Sequence, residues 1–163
     1  MKTAAVEAWA EGPMRSFVDD ARVRLALLLH PSGQVIAQHG FARAVDVMSA
    51  CALAAAIHAS AGELGRQLEG RPFGGLHHAG RERQIFLAET PTPRGSYVLL
   101  TAFDRATSLG LVRVYYDEFR AALARAAAPD LPIDAPAEDF ERQLNRSLAT
   151  LFGRGRPGEL PSS

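Results

Sequence analysis

The side chains most able to bind a metal ion are five histidines. His77 and His78 are neighbours on a predicted strand, so they point to opposite faces and cannot hold one ion together. His30 and His39 flank a predicted hairpin and could approach each other, while His58 lies on a predicted helix without a second ligand one turn away. The pattern favours solvated or hydrogen-bonded histidines, and we expect no metal site.

A nucleophile or a phosphate-binding loop is equally hard to find. Cys51 lies within an alanine-rich segment, where a thiol is more often an inert small residue than a nucleophile. The sequence contains no G-x-S-x-G elbow and no G-x-x-x-x-G-K-[ST] loop, and its one lysine, Lys2, is next to the terminus. We therefore expect no intrinsic active site, no cofactor and no enzymatic activity of the chain's own.

Arginine supplies nearly all of the positive charge, because Lys and Arg together number 18 and only one of them is lysine. Arg105 and Arg113 flank a predicted loop-to-helix junction, from which an arginine could stabilise the charge of phosphoryl transfer on a partner. An ordinary surface role is the alternative. The formal net charge is zero and the two signs are interleaved along the chain, which disfavours binding of nucleic acid.

The composition is that of a folded domain, since 47% of the 163 residues are apolar and 22% are charged. That length predicts one domain with a hydrophobic core. A single cysteine cannot form an intramolecular disulfide, the first ten residues lack the apolar run of a signal peptide, and no stretch approaches the ~18 apolar residues of a membrane span. We expect a cytoplasmic protein without a membrane partner.

Hydrophobic periodicity predicts an α/β domain (α+β layered) over residues 1–128, with helices packed on a five-stranded antiparallel sheet. Short turns between neighbouring strands favour the antiparallel arrangement. The predicted elements are, in order, a helix at 13–20, a hairpin of strands at 23–30 and 34–38, a long helix at 46–69, strands at 73–79, 84–89 and 97–103, and a helix within 104–128.

A C-terminal extension follows this domain. Residues 129–137 are predicted to be a proline-rich linker, residues 138–152 an amphipathic helix, and residues 153–163 a disordered tail. The apolar face of that helix consists of Phe140, Leu144, Leu148 and Leu151. These side chains either contact a partner or pack back onto the domain, and the sequence leaves both possibilities open.

The long helix has two contrasting sides. Leu53, Ile57, Leu64 and Leu68 fall within about 60° of one another at ~100° per residue, an apolar stripe that we expect to face the sheet. The other side carries small residues, which we call the small-residue seam: Cys51, Ala52, Ala55, Ala59 and Gly62. Such a seam lets another backbone approach closely, so we predict a partner or dimer surface there. A sparsely decorated alanine-rich helix is the alternative.

Residues 103–113, with the sequence FDRATSLGLVR, resemble the end of a domain of the roadblock / dynein-light-chain family. In that family a strand ending in Phe-Asp passes through a Ser-Leu-Gly turn into the last helix. The matching residues here are Phe103, Asp104, Thr107, Ser108, Leu109, Gly110 and Arg113. The hairpin turn at 32–36 and the long alanine-rich helix followed by three strands fit the same pattern, so the resemblance spans roughly residues 22–126.

The resemblance implies a homo- or heterodimer in which the central helices pair and the sheets join edge to edge, and we expect the homodimer. Within the family the chain is most similar to bacterial members that activate a Ras-like small GTPase and act in cell polarity or motility. Such members reshape the switch regions of the GTPase, which supplies its own arginine. The GTPase-contact region of the family maps onto Ala55 and Ala59, within the small-residue seam.

Three departures from the family pattern leave the identity of the partner open. His30 and Pro31 stand where many members place an acidic turn residue, Gly12 and Pro13 interrupt the first helix, and the loop at 90–96 is long. Two other functions also stay open. A roadblock scaffold would recruit proteins without altering any nucleotide state, and a small-molecule sensor would need a pocket with convergent polar groups, for which the sequence offers few candidates.

Overall fold

A computed structural model of the chain describes residues 2–128 and residues 145 and 146. The chain divides into two compact units, Met1–Ala128 and Pro129–Ser163. In the second unit residues 145 and 146 are helical and exposed. The predicted linker, the predicted tail and the predicted contact face of the C-terminal helix lie outside the described residues; that face comprises Phe140, Leu144, Leu148 and Leu151.

The described part of the first unit is an antiparallel sheet of six strands with three α-helices. In chain order the elements are β1 (Thr3–Ala5), a 3-10 turn (Ala8–Ala10), α1 (Glu11–Ala21), β2 (Leu25–Leu29), β3 (Val35–His39), α2 (Ala44–Glu69), β4 (Gly75–Ala79), β5 (Gln84–Thr92), β6 (Gly95–Phe103) and α3 (Leu109–Ala126). The strands lie in the order β1-β3-β2-β6-β5-β4. One face of the sheet carries α2, and the other carries α1 and α3.

The layered α+β architecture is confirmed, but the sheet has one strand more than predicted. The additional strand, β1, pairs with β3 and places Thr3 opposite His39. Three residues are too few for an alternation of period two to show in the sequence. The predicted long loop at 90–96 is also wrong: β5 and β6 continue through it, and only residues 93 and 94 separate them. Gly95 ends that turn with φ of +116°, a conformation that favours glycine.

The larger core lies between the sheet and the pair α1 and α3. Met14 and Phe17 of α1 pack with Phe119 and Leu123 of α3, and all four are buried, as is Phe103 at the end of β6. The rings of Phe17 and Phe119 lie 5.3 Å apart. Burying side chains of this size contributes roughly 1.5–3 kcal/mol each. α1 begins before Pro13, which falls in the first turn of the helix, where proline is tolerated.

The smaller core lies between the sheet and α2. The sheet supplies large side chains, among them Leu27, Leu87 and Val98, while α2 supplies smaller ones, Cys51 and Ala54. Further along the helix, a Cβ on Gly65 would lie 2.5 Å from the backbone nitrogen of Phe73. The small residues of α2 therefore face the chain's own sheet and the loop before β4, because only small side chains let the helix lie this close.

The predicted orientation of α2 is wrong for this reason. The leucine stripe (Leu53, Ile57, Leu64 and Leu68) was expected to face the sheet, yet Leu53, Leu64 and Leu68 are exposed and Ile57 is only partly buried. The space under the helix is already filled by leucine and valine side chains of the strands. Large residues on the helix can be accommodated only on the side that faces away.

α2 is also long and apolar enough to cross a membrane, by length and composition alone. The sequence analysis predicted no such segment, because it required about 18 apolar residues in a row and polar residues interrupt this helix. Most of the helix surface is not buried by the domain. The finding marks α2 as an element with apolar surface that the described part of the chain does not cover.

Candidate interaction surfaces of the central helix

The leucine stripe lies on the side of α2 that borders β4, the outermost strand at one edge of the sheet. Leu53, Ile57 and Leu64 line a shallow apolar groove together with Leu76 of β4. Apolar residues of one helix and of one edge strand thus form a single surface. Contiguous exposed apolar surface of this kind is typical of a protein–protein interface.

Some residues of the small-residue seam are buried and others are exposed. Cys51 and Gly62 are buried, so the prediction that they form a partner or dimer surface is wrong for these two residues. The close approach that a small residue permits is used by the chain's own sheet and, at Gly62, by Pro72. Burial raises the pKa of the Cys51 thiol, which holds it in the neutral and unreactive form.

The other three residues of the seam remain available to a partner to different degrees. Ala52 and Ala59 are exposed, on the flank of α2 opposite the leucine stripe, and Ala55 is partly buried against the smaller core. Met48 is exposed on the same flank. α2 therefore presents two distinct surfaces. One is leucine-rich and lies beside β4, and the other carries small residues together with Met48.

An apolar hollow that sequence reasoning missed lies next to the N-terminal half of α2. Met48 and Val47 form one wall, Phe41 lies in the preceding loop, and Val35 and Val6 complete it from β3 and the segment after β1. Its volume is about 360 Å³. Met48 was a usable signal in the sequence, since helical spacing places this large apolar residue well away from the leucine stripe. The contribution of the β1 region depends on a strand that was not predicted.

The free edge of β4 completes the surroundings of the leucine stripe. β4 pairs with β5 on one side, and no described strand lies on its other side. His77 stacks against Phe103 with ring centroids 6.4 Å apart, and its Nε2 lies 2.7 Å from Oε1 of Gln84. His78 is exposed. An edge with unpaired backbone groups is a template for pairing with another chain.

Residues 103–113, which resemble the roadblock family, form the junction from β6 to α3. Phe103 is buried in the larger core, and Ser108 is the N-cap of α3, where its Oγ accepts a hydrogen bond from the Leu111 N–H at 3.3 Å. Leu109 begins α3 and packs against the same core. Thr107 and Gly110 lie in the turn and the first helical residues. These residues therefore have a structural role at the junction.

Asp104 has the most defined electrostatic role in that junction. Its carboxylate accepts a hydrogen bond from the Ala106 N–H at 2.9 Å and an ion pair from Arg24 Nε at 2.8 Å. The backbone hydrogen bond from Ala106, followed by the one from Arg24, lowers the pKa of Asp104 below its usual value. This interaction joins the loop after β6 to the start of β2.

Arg105 and Arg113 are both exposed, and Arg113 lines a cleft between α3 and the β4–β5 edge. α3 packs on the opposite face of the sheet from α2. An arginine from α3 and a partner bound to α2 would therefore be separated by the thickness of the sheet. This placement disfavours Arg113 as a group acting on a nucleotide bound by such a partner.

His30 and His39 form hydrogen bonds with different partners. His30 Nδ1 accepts a hydrogen bond from the Ser32 N–H at 3.1 Å, so it does in the hairpin turn what an acidic residue could do. His39 Nδ1 bonds Thr3 Oγ1 at 3.1 Å, and burial lowers the pKa of His39. The two rings, which the hairpin could have brought together, thus take different neighbours. Within residues 2–128 and 145–146 no group of three potential ligands forms a metal site.

Comparison with known proteins finds solved structures that share this architecture. No protein-family model and no curated protein matches the chain. Among solved structures, Myxococcus xanthus MglB is 24% identical with a TM-score of 0.64, over 72% of this chain and 94% of that chain. An MglB with a tetrameric arrangement is 22% identical with a TM-score of 0.66, over 80% and 100%. A Roadblock/LC7 domain from Streptomyces avermitilis is 17% identical with a TM-score of 0.60, over 70% and 93%.

These similarities confirm the fold expected from the sequence. The chain has a roadblock-type fold similar to that of MglB.

Proposed function

We propose that this chain is an MglB-like regulator of a Ras-like small GTPase of the MglA type, acting in the cytoplasm as a homodimer that accelerates GTP hydrolysis. By the family resemblance, its cellular role is in polarity or motility. The observation that carries the proposal is the uncovered apolar surface of α2, in a roadblock fold similar to that of MglB.

Two partners are needed to cover the two surfaces of α2. The leucine stripe lies beside the free edge of β4, so a second copy that pairs its sheet with this one would cover both together. The other flank, with Ala52 and Ala59, would remain accessible in such a dimer. A flank of small side chains fits a partner whose backbone must lie close, which suits the switch loops of a GTPase.

The chain itself would position the switch regions of the GTPase and would supply no catalytic group. Among the described residues no cluster of metal ligands forms, and the thiol of Cys51 on α2 is buried. Activation would then come from holding the switch regions of the GTPase in the geometry of hydrolysis, with the catalytic arginine supplied by the GTPase. The position of Arg113 on α3, across the sheet from α2, supports that division of roles.

A scaffold that recruits partners without altering a nucleotide state would use the same surface of α2. The two functions differ in their effect on GTP hydrolysis, which the experiment below measures. A small-molecule sensor has less support, because the apolar hollow beside Met48 has only two polar side chains, Gln38 and Arg43, among its lining residues.

The deciding experiment is single-turnover hydrolysis of GTP by the MglA-like GTPase of the same organism, titrated with this protein. Acceleration that saturates near two chains per GTPase would support activation by a dimer. Co-elution with the GTP-bound partner and no change in rate would instead favour the scaffold. If the protein neither accelerates hydrolysis nor co-elutes with the GTPase, the proposed function is wrong and only the roadblock-type fold stands.

A further inference from the structure

The two helices that pack on the larger core cover the sheet unevenly. On this face α1 packs on β1, β3 and β2, and α3 packs on β5. Neighbouring strands lie about 4.8 Å apart, so six strands extend over roughly 24 Å, whereas two helices of about 10 Å each cover roughly 20 Å. β4 lies beyond β5 at the end of the sheet, and its Gly75 and Ala79 are exposed. The helix layer therefore ends before the sheet does.

A cleft occupies the space between α3 and this end of the sheet, and we call it the α3–β4 cleft. Its volume is about 430 Å³, and its floor includes Phe86 and Ala88 of β5. Gly74 and Gly75 line it where β4 begins. A Cβ added to Gly75 would lie 3.8 Å from the Phe86 ring, and one added to Gly74 would meet nothing within 4 Å. Because neither glycine has a side chain, another backbone can approach the floor of the cleft closely.

The α3 wall of the cleft carries charges of alternating sign. Arg113, Asp117 and Arg120 line it, and all three are exposed. Their spacings of four and three residues place them on one face of the helix, and Arg113 and Arg120 lie about 10 Å apart along its axis. None of the three takes part in an ion pair within residues 2–128 and 145–146. Two guanidinium groups and one carboxylate leave the wall with a net positive charge.

The spacing of these charges selects a helix as the bound element. Two carboxylates that match Arg113 and Arg120 must lie about 10 Å apart on one side of the partner. On an extended chain this distance corresponds to about three residues, and residues three apart point to opposite sides. On a helix it corresponds to about seven residues, which share a face. A helix would also lie beside α3 as α1 does on its other side, where the rings of Phe17 and Phe119 are 5.3 Å apart.

We propose that the α3–β4 cleft binds an acidic amphipathic helix of a second partner protein, whose two carboxylates, one at each end of the contact, pair with Arg113 and Arg120. A basic residue between those carboxylates would face Asp117, and small or apolar residues beside them would contact Phe86 and Ala88. The cleft lies on the opposite face of the sheet from α2. This partner is therefore distinct from the GTPase, and the inference stands independently of the proposed activation.

The floor of the cleft is formed before any partner arrives. The rings of Phe86 and Tyr116 meet edge-on with centroids 5.3 Å apart, and the Tyr116 hydroxyl donates a hydrogen bond to the Glu89 carbonyl at 2.7 Å. Side chains held in this way lose little freedom on binding. Ion pairs at an exposed surface contribute little affinity by themselves. Contact with the floor would therefore stabilise the complex, and the charges would fix its orientation and its specificity.

A designed peptide tests the cleft directly. The probe is an alanine-based helix of about 15 residues, labelled with fluorescein, with two glutamates about seven residues apart, a lysine between them and leucines beside them. In the reversed probe, glutamate and lysine exchange places. Fluorescence anisotropy with the full-length wild-type protein should show at least tenfold tighter binding of the acidic probe. Equal affinity for the two probes, or binding of neither, would overturn the proposal.

Charge reversal in the cleft should abolish this preference. Arg113→Glu combined with Arg120→Glu should weaken binding of the acidic probe by at least tenfold, because both attractions become repulsions. Arg105→Glu combined with Arg125→Glu makes the same change in net charge at two exposed arginines outside the cleft. This control should keep the affinity within about twofold of the wild type, since separated surface charges are screened by salt. Equal losses in the two variants would show that total charge attracts the probe, and would overturn the proposal.

A second measurement needs no variant and covers the case in which a substitution prevents folding. Nuclear magnetic resonance of the wild-type protein, titrated with the acidic probe, should shift the backbone amide signals of Gly74, Gly75 and Asp117. The amides of Ala52 and Ala59, on the opposite face of the sheet, should keep their positions. Shifts confined to α2, or absent from the glycines and from α3, would show that the probe binds elsewhere and would overturn the assignment of the cleft.

Discussion

Arg24 Nε and Asp104 Oδ2 lie 2.8 Å apart and join two segments that are 80 residues distant in sequence. Asp104 also accepts a hydrogen bond from the Ala106 N–H, so one carboxylate holds the turn into α3 and ties it to β2. Both interactions are stronger with the charged form of the carboxyl group, and together they lower the pKa of Asp104. Residues 103–113, which resemble the roadblock family, thus include the carboxylate that holds the junction in place by an ion pair and a hydrogen bond.

We expect Asp104→Asn to lower the melting temperature at pH 7. Because the folded-state pKa of Asp104 is depressed, its stabilisation is present above the unfolded-state pKa, about 3.9, and is lost as the pH falls through the folded value. The difference between wild type and variant should therefore narrow below about pH 4. Thermal unfolding followed by circular dichroism at both pH values is the measurement, and a pH-independent difference would contradict the assigned role.

Sequence reasoning located this junction because its determinants are local. Phe103 ends a strand of clear pattern, and Ser108 is a common N-cap residue at the expected distance before the first buried residue of α3. Strand and helix types were also predicted correctly for β2 to β6 and for the three helices, since each is a long enough run for its periodicity to show. The short β1 was not.

The orientation of α2 could not be obtained in the same way. Periodicity identifies two faces of a helix, but it does not say which face the sheet accepts. That choice depends on the size of Leu27, Leu87 and Val98, which lie far away in sequence and already fill the space beneath the helix. Consequently the leucine stripe was predicted to face the sheet and the small-residue seam to face outward. Instead Leu53, Leu64 and Leu68 are exposed, and Cys51 and Gly62 of the seam are buried.

Gly65 offers a direct test of the close contact beneath α2. A Cβ there would lie 2.5 Å from the Phe73 nitrogen and 2.8 Å from the Arg71 carbonyl oxygen, so the backbone would have to move. We expect Gly65→Ala to destabilise the protein by about 1–3 kcal/mol in urea unfolding, although alanine favours helix. Gly12→Ala in α1 is the matched control, since its Cβ meets nothing within 4 Å, and it should be neutral or stabilising.

The Tyr116 hydroxyl is the main polar group of the larger core. It donates a hydrogen bond to the Glu89 carbonyl at 2.7 Å and lies 3.3 Å from Thr90 Oγ1. We expect Tyr116→Phe to cost about 1 kcal/mol in urea unfolding, because the Glu89 carbonyl loses a partner. Burial raises the pKa of Tyr116, so the hydroxyl keeps its proton and the cost should be equal at pH 6 and pH 9.

Tyr115→Phe is the control for that substitution, since the Tyr115 hydroxyl makes no hydrogen bond within residues 2–128 and 145–146. It should leave the free energy of unfolding within about 0.5 kcal/mol of the wild type. Equal costs for the two variants would show that the hydroxyl of Tyr116 has no particular structural role.

The leucine stripe is tested by a pair of substitutions at equally exposed leucines. Leu64 is 51% exposed on α2, and Leu111 is 49% exposed on α3, on the other face of the sheet. We expect Leu64→Glu to weaken self-association by roughly tenfold or more, because a charge would be buried against the second copy. Leu111→Glu should leave it unchanged. Sedimentation over a range of concentrations measures both, and equal effects would remove the stripe from the dimer interface.

Ala59 separates binding of the GTPase from dimerisation and from folding. It is exposed on the small-residue flank of α2, away from the leucine stripe, whereas Ala55 is partly buried and would perturb the core if replaced. We expect Ala59→Arg to keep the wild-type melting temperature and sedimentation while lowering the acceleration of GTP hydrolysis by at least tenfold, since the long side chain holds the partner's backbone away. Ala121→Arg on α3, an exposed alanine on the opposite face, is the matched control and should activate normally. Full activation by Ala59→Arg would mean that the GTPase does not dock on this flank, and a loss shared by both variants would point to the added charge rather than to the site.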